Sequence, residues 1–197
     1  MKKLLWLFLL LAFTLTACGA LPEQTDAADE AILRVVTLSR SEGELKIVAM
    51  TAGIKTGDAD EPPEKTEGSG EDYAAARAAM KERREASLTH ATDWVVEENA
   101  IGDALEAFVI DPELTYDASI YVLKDQSARE FLDAFGEEQT GPARALEDLG
   151  RALGEKKVTM LKLSRALAAG EGCEVPLLRA EDGEVEEIEW MTVEQWK

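Results

Sequence analysis

Cysteine and histidine are scarce in this sequence of 197 residues, which contains two of the first and one of the second. If Cys18 carries a lipid, Cys173 has no intramolecular disulfide partner, and we expect a fold stabilised by its hydrophobic core. A hydrolytic triad would have to use His90. Ser87 lies three residues before it, which on a strand places the two side chains on opposite faces. We therefore predict that His90 is a structural or half-buried strand residue.

Positive charge is also scarce. The sequence has 21 basic and 40 acidic side chains, a formal net charge of −19 at pH 7. Such a surface repels phosphate backbones and anionic lipid headgroups. Nucleic acid is therefore excluded as a partner, and we expect no basic patch that would hold the protein to a membrane.

The sequence also lacks an apolar run long enough to span a membrane. Its longest apolar run lies at the N-terminus. It extends from Leu4 to Leu15, about a dozen residues, whereas a membrane-spanning helix needs ~20. Lys2-Lys3 precede it and Leu15-Thr16-Ala17-Cys18 follow it, which is the order of features in a secretory signal. The last four residues fit the lipobox of bacterial lipoproteins, in which the cysteine thiol takes a diacylglycerol. We predict that residues 1–17 are a signal peptide.

A diacylated Cys18 would anchor the mature chain at the outer face of the cell membrane. Each buried methylene contributes ~0.8 kcal/mol to the free energy of membrane binding. Two acyl chains therefore anchor a protein stably, whereas a protein with one chain dissociates readily. Without residues 1–17 the chain carries 19 basic against 40 acidic side chains, a net charge of −21, so the lipid is the expected means of attachment. The alternative is an ordinary secretory signal cut after Ala17 or Ala20, with Cys18 unmodified.

The mature chain is predicted to contain a tether and one folded domain. Residues 18–30 comprise the lipidated cysteine and an acidic, alanine-rich tether, and residues 31–197 form one domain of ordinary size. Within this domain, residues 53–70 are mostly Gly, Pro, Asp, Glu and Lys with little to bury. That composition predicts a long flexible loop.

The periodicity of the domain predicts an α+β fold, a mixed sheet with helices packed on it and with early and C-terminal β-hairpins. Segments 31–38 and 44–50 flank Ser41-Glu42-Gly43, and segments 175–179 and 185–191 flank Asp182-Gly183. Between the hairpins we predict strands at 88–97 and 116–123. Helices are predicted at 71–85, after the caps Asn99 and Ser127, and along two leucine-rich stripes, 146–153 and 160–167.

Other motifs are weak signs of chemistry. Gly68-Ser69-Gly70 lacks the further glycine and the Lys-Ser or Lys-Thr pair of a phosphate-binding loop. Asp58, Asp60 and Glu61 lack the glycine that a calcium loop requires. The acidic run 181–189 is typical of a solvated hairpin face, with a docking edge for a partner as the alternative. We therefore expect no catalytic residue, no cofactor site and no metal site.

Several segments follow one another in the order of a known family. They are the lipobox with Cys18, the strand ending in Ala52-Gly53-Ile54, the alanine-rich helix at 74–79, the stretch Val95 to Ala100, and Asp111-Pro112-Glu113 after a helix. In this order they resemble the N-terminal domain of the Ger(x)C family, the lipoprotein C subunits of spore germinant receptors. The resemblance covers only the first domain of that family.

The resemblance implies a non-catalytic, membrane-anchored protein that acts in spore germination through protein–protein contacts. Its partners would be integral membrane subunits of a germinant receptor, and its location would be the spore inner membrane. The alternative is a cell-surface lipoprotein of another class that binds a solute or an envelope protein.

Overall fold

The structure is a computed structural model that describes residues 33–51, 54–56, 59–61, 63–83, 87–136 and 141–194. All of these ranges belong to the unit Ala31–Lys197. The signal sequence, Cys18 and the tether at 18–30 lie outside the described residues.

The described residues form nine strands and five α-helices. The strands are β1 (Leu33–Ser41), β2 (Glu44–Thr51), β3 (Ile54–Thr56), β4 (Ala59–Glu61), β5 (Lys65–Gly70), β6 (Asp93–Glu97), β7 (Ser119–Leu123), β8 (Cys173–Glu181) and β9 (Glu184–Val193). The helices are α1 (Tyr73–Arg83), α2 (Ile101–Ile110), α3 (Ala128–Asp133), α4 (Pro142–Leu153) and α5 (Met160–Ala168), with 3-10 turns at Glu98–Ala100 and Gly154–Lys156.

Seven of the strands form one mixed sheet in the order β5-β2-β1-β6-β7-β8-β9, and β3 pairs with β4 separately. The four central strands β1, β6, β7 and β8 are parallel, while β2, β5 and β9 run antiparallel to their neighbours. The predicted α+β fold with a mixed sheet is therefore confirmed.

Helices cover both faces of the sheet, because the central strands are apolar on both sides. Trp94 and Val95, neighbours on β6, are fully buried in opposite hydrophobic clusters. The face on the Trp94 side packs against α1, α2 and α5 through residues such as Met80, Leu105 and Leu163. The face on the Val95 side packs against α3 and α4. We call them the Trp94 face and the Val95 face.

Both predicted hairpins are present, and local turn chemistry explains them. Glu42 and Gly43 have φ values of 53° and 85°, and Asp182 and Gly183 have values of 50° and 81°. Two consecutive left-handed residues make the two-residue turn whose twist matches that of paired strands. Each turn therefore sets the register of the hairpin that it closes.

The predicted loop at 53–70 is wrong where the structure describes it. Strands β3 and β4 pair with each other, and β5 pairs with β2 at the sheet edge. The glycines of β5 allow the strand to pack directly against α1: a Cβ on Gly68 would lie 2.2 Å from the carbonyl oxygen of Ala76. Glycine in a strand often marks such a close backbone approach.

Three element boundaries also differ from the predictions. The strand predicted at 88–97 begins at Asp93, because the amide of Ala91 donates to the carbonyl of Leu88 in a turn. The strand predicted from residue 116 begins at Ser119. Asn99 is not a helix cap: it lies in the 3-10 turn before α2, and its side-chain amide donates to the carbonyl of Arg40.

The other helix predictions are confirmed. Ser127 caps α3 in a capping box with Glu130, since its hydroxyl accepts from the Glu130 amide and the Glu130 carboxylate accepts from the Ser127 amide. Helices α4 and α5 bury the predicted leucine stripes, and they are followed by Gly154 and Gly170, which both have positive φ.

Candidate functional site

Strand β9 forms an exposed acidic edge of the sheet. It is ten residues long and pairs with β8 on one side only. Four of its residues are exposed glutamates: Glu184, Glu186, Glu187 and Glu189. The predicted solvated face of this hairpin is therefore confirmed.

A bulge interrupts β9 at Ile188. The pairing passes from Leu177 with Glu189 to Leu178 with Glu187, so Ile188 is the extra residue, and it is 47% exposed. Bulges and charged side chains on an edge strand hinder pairing with a like strand. A second copy of this acidic edge would also be repelled, whereas a basic extended segment would be attracted.

A second polar site joins α1 to the Asp111-Pro112-Glu113 segment. Arg77 is 5% exposed; its Nη2 donates to Glu113 Oε2 at 2.7 Å, and its Nε lies 3.5 Å from Asp111 Oδ2. The hydroxyl of Tyr73 donates to Asp111 Oδ2 at 2.8 Å. A hydrogen bond from Lys81 lowers the pKa of Glu113. Both carboxylates are bound by neighbouring side chains, whereas Nε and Nη1 of Arg77 are buried without a hydrogen bond to the described residues. We interpret the cluster as a connection between two segments of the fold.

A crevice opens where β6 and β7 end, because α2 leaves β6 toward the Trp94 face and α3 leaves β7 toward the Val95 face. Ligands of open α/β sheets bind at such a position. The crevice has a volume of about 510 Å³, but several of its polar groups are already bonded. Glu97 accepts from the amide of Ala128 at 2.8 Å, and the side-chain amide of Gln126 donates to and accepts from the backbone of Ala180. We interpret it as structural.

A third site is a groove between α5 and the start of β8. Residues 158–160 lie beside the start of β7, with Ile120 N donating to Val158 O at 3.0 Å and Met160 N donating to Ala118 O at 2.9 Å. Strand β8 therefore reaches β7 only further along, at Leu177 and Leu178. The resulting groove has a volume of about 1000 Å³. Its cationic lining residues are Lys156, Lys162 and Arg165.

This groove and its basic wall were missed from the sequence. One signal was available: no acidic residue lies between Glu155 and Glu171, in a chain with 40 acidic residues. Cys173 lies in the groove wall, is buried, and has no disulfide partner. Burial raises the pKa of its thiol.

The single histidine does not belong to a catalytic arrangement among the described residues. His90 is exposed in a turn, which corrects its prediction as a half-buried strand residue. The Ser87 hydroxyl lies 2.6 Å from that of Thr89, and no bond joins it to His90. No group of three or more His, Cys, Asp or Glu side chains in the described ranges is arranged to hold a metal ion.

Buried polar groups also meet on the Val95 face, at the start of β6 and β7. Asp93 is 6% exposed, and burial raises the pKa of its carboxyl despite a 2.7 Å hydrogen bond from Thr92. The hydroxyls of Ser119 and Tyr121 are buried and make no hydrogen bond to the part of the chain that is described. An ordered water is the usual partner of such groups.

Comparisons with protein-family models, with curated proteins and with solved structures found no match to this chain. Among the described residues, no helix is both long enough and apolar enough to span a membrane.

Proposed function

We propose that this chain is a lipoprotein, anchored through a diacylglyceryl Cys18 at the outer face of the cell membrane, that acts through protein–protein contacts. Its resemblance to the Ger(x)C family leads us to place that action in spore germination, beside integral membrane subunits of a germinant receptor. In this proposal the protein has no catalytic residue and needs no cofactor.

The observation that carries the contact function is the acidic edge strand β9. Its ten residues leave one row of backbone donors and acceptors without a neighbouring strand among the described residues. The four glutamates set the charge of a partner that adds there, because a basic segment gains electrostatic attraction as well as main-chain hydrogen bonds. The partner face of a receptor subunit would therefore present a basic extended segment.

The geometry of the resembling segments also supports the proposal. The alanine-rich helix and the Asp-Pro-Glu segment are far apart in sequence, yet Arg77 binds them together through Asp111 and Glu113. Two of the segments that carry the resemblance are therefore in contact in the fold.

Membrane attachment is tested by the Cys18→Ala variant. We expect the wild-type protein to sediment with membranes and to be extracted by detergent, whereas Cys18→Ala is released as a folded soluble protein. Cys173→Ala is the matched control and should remain bound. A Cys18→Ala protein that stays on the membrane without detergent would mean that something other than the lipid holds it.

The role in germination is tested with spores that carry edge variants. Deletion of the gene should slow germination with at least one nutrient, and Glu184→Lys with Glu186→Lys should reproduce that defect. The control pair Glu106→Lys with Asp117→Lys makes the same charge change at exposed positions away from β9. Normal germination of the deletion strain with every nutrient tested would refute the proposal.

A further inference from the structure

The groove beside α5 concentrates positive charge in a protein that is otherwise acidic. Lys156, Lys162 and Arg165 line it, and within the described ranges none of the three forms an ion pair with a carboxylate. Some cations elsewhere are paired, as in Arg40 with Asp103 and Lys46 with Glu67. Three cations without such a partner therefore line one groove.

The positive potential of the groove comes from side chains and not from the end of helix α5. The amides of Met160 and Leu161 donate to the carbonyls of Ala118 and Tyr116, and the amide of Lys162 donates to the Thr159 hydroxyl. No amide at this helix start is left to bind an anion. A ligand would therefore meet two ammonium groups and a guanidinium.

The opposite wall differs in character. Glu171 and Glu174 lie on it, with Trp190 and the buried thiol of Cys173 beside them. The lining is thus cationic on the α5 side, carries two carboxylates on the β8 side, and includes one aromatic ring. Such a division suits a molecule with an anionic group at one end and hydrogen-bond donors at the other.

We propose that this groove binds a phosphate ester, with the phosphate held by Lys156, Lys162 and Arg165. A doubly charged phosphate needs more than one cation, and arginine and lysine are the side chains that bind it through charge-assisted hydrogen bonds. The volume of about 1000 Å³ is far larger than a bare phosphate, so the organic part of the ester would occupy the space beside Trp190.

The net charge of −19 does not prevent this binding. Charges are screened over about 8 Å at physiological ionic strength. The potential felt by a small ligand is therefore set by the charges that line the groove, which are the three cations and the carboxylates of Glu171 and Glu174, while acidic residues elsewhere on the surface contribute little. A long polyanion such as nucleic acid would extend beyond the groove and meet those acidic residues.

The test is a titration of the full-length lipidated protein, in detergent, with inorganic phosphate at constant ionic strength. Line broadening in the phosphorus NMR spectrum measures the binding. We expect saturable binding that weakens by about tenfold or more in Lys162→Gln with Arg165→Gln, because two of the three charge-assisted contacts are lost. Removing the carboxylates, in Glu171→Gln with Glu174→Gln, should tighten the binding.

The control is Arg129→Gln with Arg151→Gln, which makes the same charge change at exposed positions outside the groove. This control should bind phosphate within about twofold of wild type, and circular dichroism checks that each variant is folded. Absence of saturable binding, or equal losses in the groove and control variants, would overturn the proposal.

A second arm distinguishes a lipid headgroup from a soluble phosphate ester. The Cys18→Ala protein is floated with phosphatidylcholine vesicles that contain or lack phosphatidylglycerol. Flotation that needs phosphatidylglycerol and is lost in the groove variant identifies the headgroup as the source of the phosphate. Phosphate binding without flotation identifies a soluble ester. Since neither readout involves β9 or germination, failure of this inference leaves the proposed function untouched.

Discussion

Replacing Gly68 by alanine tests whether the close packing of β5 on α1 determines the edge of the sheet. The added Cβ would lie 2.2 Å from Ala76 O and 2.5 Å from Met80 N, both of them backbone atoms of the helix. Optimal carbon contacts are at about 3.5 Å, so helix and strand must separate by roughly 1 Å. Because Ala76 and Met80 are fully buried, the separation disturbs the Trp94 face. We expect a loss of about 3 kcal/mol in the free energy of unfolding.

For a domain of this size, that loss corresponds to a Tm lowered by about 6–12 °C. Urea unfolding and thermal melts followed by circular dichroism measure both quantities. The control is Gly172→Ala, whose Cβ would approach the Cγ2 atom of the exposed Thr192 side chain at 3.0 Å and would have its next neighbour at 3.9 Å. A loss below about 1 kcal/mol in Gly68→Ala, or an equal loss in the control, would refute the packing argument.

Three further predictions concern buried polar groups. Arg77→Ala should cost about 3 kcal/mol in urea unfolding because Asp111 and Glu113 lose their cation, and Arg77→Met should cost less because it refills the space; an Arg77→Met protein as stable as the wild type would argue against the ion pairs. Burial raises the pKa of Asp93 in the folded state, so the protonated carboxyl contributes to stability at low pH, and this contribution is lost as the pH rises through the folded-state pKa. Asp93→Asn should remove this component from the pH dependence of the urea unfolding midpoint. A variant with the same pH dependence as the wild type would contradict the prediction. Cys173 should react with a thiol reagent at neutral pH at least about tenfold more slowly in the folded protein than in urea, and equal rates would mean that the thiol is accessible.

Features of the fold that depend on neighbouring residues could be predicted from the sequence. Gly43, Asp182 and Gly183 readily adopt the left-handed conformation that their turns need, so both hairpins were predictable. Ser127 was recognisable as the cap of α3. The apolar pair Trp94 and Val95 indicated a strand buried on both faces, since adjacent strand residues point to opposite sides.

Features that depend on distant segments were missed. The glycines of β5 were interpreted as loop residues because sequence alone does not show that α1 packs against Gly68. The basic groove was missed for a similar reason: the segment around Val158 takes the place beside β7 that β8 would otherwise fill. Lys162 and Arg165 are three residues apart on α5 and so lie on one side of it, but only the tertiary structure places Lys156 with them.

The weak attachment of β8 to β7 has a consequence for the order in which the protein opens. Strand β8 pairs with β7 at two residues only, Leu177 and Leu178. Hydrogen bonds from the Lys124 amide and the Gln126 side chain also join the C-terminal hairpin to the residues that follow β7. Elements with few backbone bonds to their neighbours exchange their amide hydrogens through local opening, at lower free energy than global unfolding. Amides of residues 173–193 would then exchange before those of the central strands, and a ligand held between α5 and this hairpin would slow their exchange.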